Sequence, residues 1–363
     1  MRPIMKEEYD KVQQALGTFQ DLNKFIDETL IKSFFNTTDR LKQHPLFWYL
    51  YKDGNAEKLC NNLKILEKGC NKFDKVIKKI HENDHTLFYS YISEVDVIAY
   101  YCSKASHNYQ VEFEPTIPEK GTKVDAKITI NKKDYFLEIF TIFPDHNFQK
   151  IDEMHQIIRE RIDAFVDNPY LVCYSIYEEF TDGDIDFFVT EAKKIIDENA
   201  KNEQNAPKDN PIVEERMISC RDKNIARVIL YRVKNMKKGH VEAMISPVQK
   251  VEDAGRIKQK VLSKIDQLPS QGRNIIVVNL SRIYGEKFYD MEDAFLGQQA
   301  VFVDKVTLKG TEGRHANGIV HHGKGKFITM IIAYINNDYS TRRYYINDAT
   351  AIEKLEKEEW KLF

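Results

Sequence analysis

Glu94, Asp125 and Glu138 are the residues whose types and order could do chemistry. Asp125 lies in the β-rich run Val124-Asp125-Ala126-Lys127-Ile128-Thr129-Ile130. Glu138 lies in the next one, Tyr135-Phe136-Leu137-Glu138-Ile139-Phe140-Thr141. The residues between the runs, Asn131-Lys132-Lys133-Asp134, are turn formers. The pair predicts an antiparallel hairpin. Strand alternation puts Phe136, Glu138 and Phe140 on one face of their strand, and Asp125 with Lys127 on one face of theirs. A tight turn then lets two carboxylates converge from adjacent strands, and Glu94 adds a third from the preceding helix. Three acidic oxygen donors around one cavity suit a hard divalent cation such as Mg²⁺ or Mn²⁺. Such an ion activates water and stabilises charge on a phosphodiester. Taken singly, each residue has a plain structural reading. Hairpin carboxylates commonly face solvent, and a helical glutamate commonly sits on the wet face. Their order along the chain is what singles them out.

The elements that must position them follow from periodicity. Leu87, Tyr91, Val95, Ile98 and Cys102 recur at spacings of three and four and predict a helix, with Asp84-His85-Thr86 as its cap. Upstream, 1–82 reads as a helical region. Tyr9, Val12, Leu16, Phe19, Leu22, Phe25 and Ile26 recur at helix spacing, with breaks near Gly17 and Pro45. Leu59, Leu63, Ile65, Leu66, Phe73, Val76, Ile77 and Ile80 predict two more amphipathic helices joined near Gly69, with Lys75, Lys78 and Lys79 on a solvated face. Downstream, a helix is expected over 148–165 and an apolar strand over 170–176, buried on both faces. A helix over 184–199 leads into a polar segment at 199–211 with two prolines, the best linker candidate. Strands are expected at 213–218, 226–233 and 241–246, a helix at 251–268, a buried strand at 275–280, an apolar run at 327–335, a short strand at 343–346 and a short terminal helix. The expected division is 1–82, a helical region; 83–200, a core; and 201–363, a β-rich portion completing the same domain or standing beside it.

The order of helix with Glu94, strand, strand with Asp125, turn, strand with Glu138, helix and apolar strand resembles the PD-(D/E)xK nuclease superfamily. That superfamily includes restriction endonucleases, resolvases and repair nucleases. The resemblance covers about residues 85–180. It extends to 251–280, where Ile257, Lys260, Lys264, Gln267 and Leu268 precede a buried strand. It implies an α/β fold, a restriction-endonuclease-like mixed sheet flanked by helices, with the N-terminal helical region and a β-rich C-terminal extension added. It also implies a Mg²⁺- or Mn²⁺-dependent endonuclease acting on DNA, with Glu94, Asp125 and Glu138 around the metal. Many members work as dimers, so a homodimer is in scope.

The chain departs from that pattern twice. Val124 stands where the family has proline, which leaves the carboxylate intact. Phe140 stands where the family has its lysine, and a phenylalanine cannot donate to water or phosphate. Lys127, two residues beyond Asp125, is the first substitute. Lys123, on the opposite face, is a weaker one, and Gln149, Lys150 and Gln156 follow. The alternative function is a catalytically inactive nuclease-fold protein that binds nucleic acid or acts as a scaffold.

Composition sets the remaining bounds. The chain has 363 residues, 54 Lys+Arg against 56 Asp+Glu and a net charge of −2, so it is not basic throughout. Any nucleic-acid contact must come from a local patch. Candidates are Lys120, Lys123, Lys127, Lys132 and Lys133 around the hairpin, Lys234, Lys237, Lys238 and His240, and the Gly-, His- and Lys-rich segment 310–326. That segment carries no Walker pattern. His321 and His322 are adjacent and would point to opposite faces, which disfavours a shared metal. His146 and His155 flank the helix after the hairpin and read first as capping or surface residues. The five cysteines are scattered and form neither a disulfide framework nor a zinc ribbon. No apolar stretch reaches the roughly 18 residues of a membrane span, and no signal peptide opens the chain. The expectation is an intracellular, cytoplasmic protein.

Overall fold

The computed structural model describes residues 4–39, 42–103, 109–143, 146–166, 170–177, 180–201, 212–220, 223–232, 240–245, 253–283, 287–303, 310–336, 339, 341–356 and 359. The chain divides into two compact units. One comprises Ile4–Phe143 and Glu252–Phe363, and the other Met1–Pro3 and Pro144–Val251. This division runs elsewhere than the expected boundaries near 82 and 200. The helical segment does not stand apart, because its apolar faces share one core with the sheet. Part of the β-rich portion completes the same unit.

The larger unit begins with seven helices: α1 (Lys6–Thr18), α2 (Leu22–Phe25), α3 (Glu28–Phe34), α4 (Pro45–Tyr51), α5 (Asn55–Gly69), α6 (Phe73–Ile80) and α7 (His85–Ser103). Five strands follow: β1 (Tyr109–Phe113), β2 (Thr116–Ile117), β3 (Thr122–Lys123), β4 (Ala126–Ile130) and β5 (Lys133–Thr141). The chain then builds the smaller unit from α8 (His146–Asp163), β6 (Tyr170–Ile176), α9 (Asp182–Lys201), β7 (Ile212–Cys220), β8 (Lys223–Arg232) and β9 (His240–Ile245). It returns to the larger unit with α10 (Asp253–Lys264), β10 (Arg273–Asn279), α11 (Lys287–Leu296), β11 (Gln299–Val303), β12 (Gly310–Arg314), β13 (Met330–Tyr334) and β14 (Arg342–Ile346). Of the expected linker at 199–211, residues 199–201 end α9 and 202–211 lie outside the described residues, as does the basic turn with Lys234, Lys237 and Lys238. The expected terminal helix does not form among the described residues of 351–359.

The main sheet is mixed, in the order β1-β4-β5-β10-β13-β14. β1, β4 and β5 form an antiparallel meander, β10 runs parallel to both β5 and β13, and β14 closes the edge antiparallel. A parallel neighbour requires a crossover, and α10 is the helix that leads into β10. Both faces of the sheet are covered, so β10 and β13 are buried along almost their whole length. Ala126, Ile128, Tyr135, Leu137, Ile139, Ile275 and Val277 share one core with the apolar residues of α1–α7. Phe140, Ile276, Val278 and Ile331 share the other with Ile257, Val261 and Ile265 and with Met291 and Phe295 of α11.

The strand at 170–176 forms as expected but does not join the main sheet. It belongs to a four-stranded sheet ordered β7-β8-β6-β9, packed on α8 and α9 around its own core. β10, and not the strand at 170–176, lies beside β5. The reason is that 144–251 buries its own apolar surface, so its strands pair with one another. No helix among the described residues is long and apolar enough to cross a membrane.

Candidate active site

The β4–β5 hairpin sets the geometry. Its turn has two residues, Asn131 and Lys132, with φ of 51° and 65°. This left-handed backbone is what a two-residue hairpin turn needs. The turn fixes the register Ala126↔Leu137. Asp125, one residue before β4, therefore falls opposite Glu138. β4 stops there, while β5 runs on to Thr141 beside β10. The free edge of β5 beyond Leu137 opens a notch. Asp125 lies in the bend that begins it, and its Oδ2 accepts the Ile139 N–H at 2.7 Å, a donor the missing ladder would leave unpaired. Glu114, at the end of β1, has φ of 46° and donates its N–H to the Asp125 carbonyl at 3.0 Å. A left-handed glutamate is strained, and here it joins the two diverging strand ends.

Four carboxylates and three lysines meet around this notch. Glu94 comes from α7, where it is buried, and pairs with Lys79 of α6. Lys79 also pairs with Glu114 at 3.0 Å and lies over the rings of Tyr91 and Phe113. Lys75 holds the other oxygen of Glu114 at 3.0 Å. On the opposite side, Lys264 of α10 donates to Glu138 Oε2 at 2.9 Å and to Gln267 Oε1 at 3.1 Å. An ammonium has three donors, and among the described residues two of those of Lys264 are engaged. Glu138 Oε1 is buried and has no hydrogen-bond partner among the described residues.

Burial and crowding raise the carboxyl pKa values. Glu138 rises from 4.5 to about 8, first because it is buried and then because Asp125 is beside it, with Lys264 opposing. Glu94 rises well above its ordinary value through burial and Asp125, with Lys79 opposing. Burial also raises Asp125, against the Ile139 N–H and the two lysines. Glu114 goes the other way: burial works against it, but Lys75 and Lys79 outweigh that and lower it. Both half-buried lysines, Lys79 and Lys264, stay charged. Burial disfavours the ammonium of Lys79 and of Lys264, but the neighbouring carboxylates raise both. Removing one member of such a buried pair strands a charge, at a cost of about 3–5 kcal/mol.

The structure brings Glu94, Asp125 and Glu138 into one electrostatic cluster. It does not bring Lys127 there. Its amine pairs with Glu112 at 3.1 Å and Asp134 at 4.0 Å. The alternation argument fails at Asp125, which lies in a bend ahead of β4 rather than within the strand. Lys123 is exposed, and Gln149, Lys150 and Gln156 belong to α8 of the other unit. His155 is buried there against the Tyr174 hydroxyl at 3.0 Å, and the side chain of His146 lies outside the described ones. Lys79 is not on a solvated face as expected; only Lys78 of that trio is exposed.

Lys75, Lys79, Lys264 and Glu114 were therefore missed as site residues, and Lys79 and Lys264 carry a readable signal. Lys264 is seven residues after Ile257 and three after Val261, so it falls on the buried stripe of its helix. Lys79 falls three residues after the buried Val76. A lysine on an apolar stripe needs a buried partner.

Asp125 and Glu138 fit a divalent cation in their chemistry. Glu138 Oε1 is an orphaned buried carboxylate oxygen, and Asp125 beside it is partly exposed. Glu94 is committed to Lys79. Among the described residues, no group of three His, Cys, Asp or Glu side chains is gathered closely enough to hold an ion. No protein-family model, no curated protein and no solved structure matches the chain.

Proposed function

We propose that the larger unit is a metal-dependent phosphodiester hydrolase of the restriction-endonuclease-like class, acting on DNA, in which Lys264 does the work of the lysine that Phe140 replaces. One observation carries this reading. A three-stranded meander places Asp125 opposite Glu138, and the helix leading into the next, parallel strand delivers an ammonium 2.9 Å from Glu138. Asp125 and Glu138 are the residues that hold the cation, Mg²⁺ or Mn²⁺. When bound, that ion supplies charge stabilisation at the phosphoryl oxygens and a water of lowered pKa. Lys264 keeps Glu138 oriented, and its third donor positions a water or a phosphoryl oxygen. Lys79 neutralises Glu94 and Glu114, so that the negative cluster does not repel a phosphate.

Cleavage of linear and supercoiled DNA with Mg²⁺ or Mn²⁺ tests the reading. Activity is expected to vanish in Asp125→Ala and Glu138→Ala and to fall at least a hundredfold in Lys264→Ala. Activity that persists in the two carboxylate variants overturns it.

A second reading, a nuclease-like scaffold that binds without catalysis, is favoured by the pairing of Lys79 with Glu94 and by the absence of a three-ligand group among the described residues. It expects no Mn²⁺ binding by isothermal titration, and none in the paramagnetic resonance spectrum of added Mn²⁺.

A further inference from the structure

Arg282 lies just past β10, at the carboxyl ends of the parallel strands β5, β10 and β13. Ligands of open α/β sheets bind in this place. Local bonds fix the loop. Asn279 Oδ1 accepts the Ser281 N–H at 2.9 Å, its Nδ2 donates to Ser93 Oγ at 2.8 Å, and the Leu280 N–H donates to the Tyr334 carbonyl at 2.9 Å. The same Ser93 hydroxyl meets Thr141 Oγ1 at 2.8 Å, which ties α7 to the end of β5. Arg282 is therefore held on a rigid corner.

Its guanidinium lies over the ring of Tyr89, 3.5 Å from the centroid. Among the described residues, the buried Nε has no hydrogen-bond partner and no carboxylate pairs with the group. A buried donor left unpaired costs about 1–3 kcal/mol, and a guanidinium is a planar fork that matches an oxyanion. The surroundings add positive charge. Tyr89 packs against Tyr49 of α4 with centroids 6.5 Å apart, and Lys52 caps that helix. The Lys52 amine titrates below its usual range, through partial burial and then through Arg282. Lys287 donates to the Ser281 carbonyl at 3.2 Å. Asp96, which acts on the Tyr49 ring hydroxyl, is already held by Lys58 and by Asn62 at 2.8 Å.

We propose that Arg282, stacked on Tyr89 and assisted by Lys52, is a phosphate-binding subsite distinct from the carboxylate notch. The Tyr89 carbonyl accepts from Thr141 Oγ1, so the subsite lies by the carboxyl end of β5, the strand that carries Glu138. The phosphate belongs either to a nucleic-acid backbone or to a free phosphate or nucleotide. Only the first source rests on the nuclease reading.

The test uses the full chain in EDTA, where cleavage is silent, with a short fluorescein-labelled DNA duplex and inorganic phosphate as separate probes. Thermal melts establish that each variant is folded. Arg282→Ala is expected to weaken duplex binding about tenfold, Arg282→Lys less, and Lys52→Gln severalfold. Each charge removed lowers the salt slope by about one. Phosphate competes with the duplex for wild type and not for Arg282→Ala. If wild type binds phosphate but not the duplex, and Arg282→Ala or Arg282→Lys loses phosphate, the subsite stands and DNA is the wrong source. If the variants bind both probes as wild type does, or wild type binds neither, the subsite is overturned. Asp125→Asn separates the two claims: it is expected to lose cleavage and keep the Arg282-dependent binding.

Discussion

Glu138 concentrates the electrostatic cost of the site. Its carboxyl is raised from 4.5 to about 8 by burial and by Asp125. Between those values the folded protein keeps a proton that the unfolded chain has released. More protons in the folded state means that stability falls as pH rises through this window. Glu94 and Asp125 shift in the same direction. In EDTA, the Tm of the larger unit is therefore expected to fall from about pH 4.5 to about pH 8. Glu138→Gln should flatten that decline, and Mg²⁺ should restore Tm at the upper end by binding the ionised carboxylates. A Tm that rises over this range contradicts the assignment. Sequence order was enough to bring Glu94, Asp125 and Glu138 together. It was not enough for Lys127, because pleat alternation holds only inside a strand and Asp125 lies in a bend before one.

The hairpin is the element that decides whether two carboxylates oppose each other. A one-residue slip in its register would carry Glu138 to the other face of the sheet. Lys132 occupies the turn with φ of 65°, where an L-residue with a side chain pays about 1–2 kcal/mol. Lys132→Gly, giving an Asn-Gly turn, is expected to raise stability by about 1 kcal/mol in urea denaturation with cleavage unchanged; a loss of stability contradicts the turn assignment. Local pattern made both strands and the turn region legible, because turn chemistry and β-branched runs are local signals. It also located most helices, including α5 and α6 with their junction at Gly69. Which strand lies beside β5 was not legible. Two apolar runs, 170–176 and 275–280, were equally suited to a buried position, and only the tertiary packing of 144–251 around its own core separates them. α4 and α11 escaped notice because they are short, and α4 is apolar nearly all round.

At the scale of the whole chain, 144–251 is an insertion between β5 and the helix that delivers Lys264. The two points where the larger unit is interrupted are adjacent, since Arg256 donates to the Phe143 carbonyl while pairing with Asp253. A short Gly-Ser linker in place of 144–251 is therefore expected to leave a folded larger unit, with the thermal transition of that unit within a few degrees of its value in the full chain. Loss of cooperative unfolding contradicts this. The insertion explains why sequence distance hid the lysine: Glu138 and Lys264 are far apart in the chain, and the intervening unit carries its own helices and strands. The central claim is that the notch hydrolyses DNA with Asp125, Glu138 and Lys264. The most direct measurement is Mg²⁺-dependent cleavage of supercoiled DNA by the full chain and by Lys264→Ala and Lys127→Ala. The account predicts cleavage by wild type and by Lys127→Ala, and at least a hundredfold loss in Lys264→Ala. Cleavage lost with Lys127 and kept without Lys264 would contradict it.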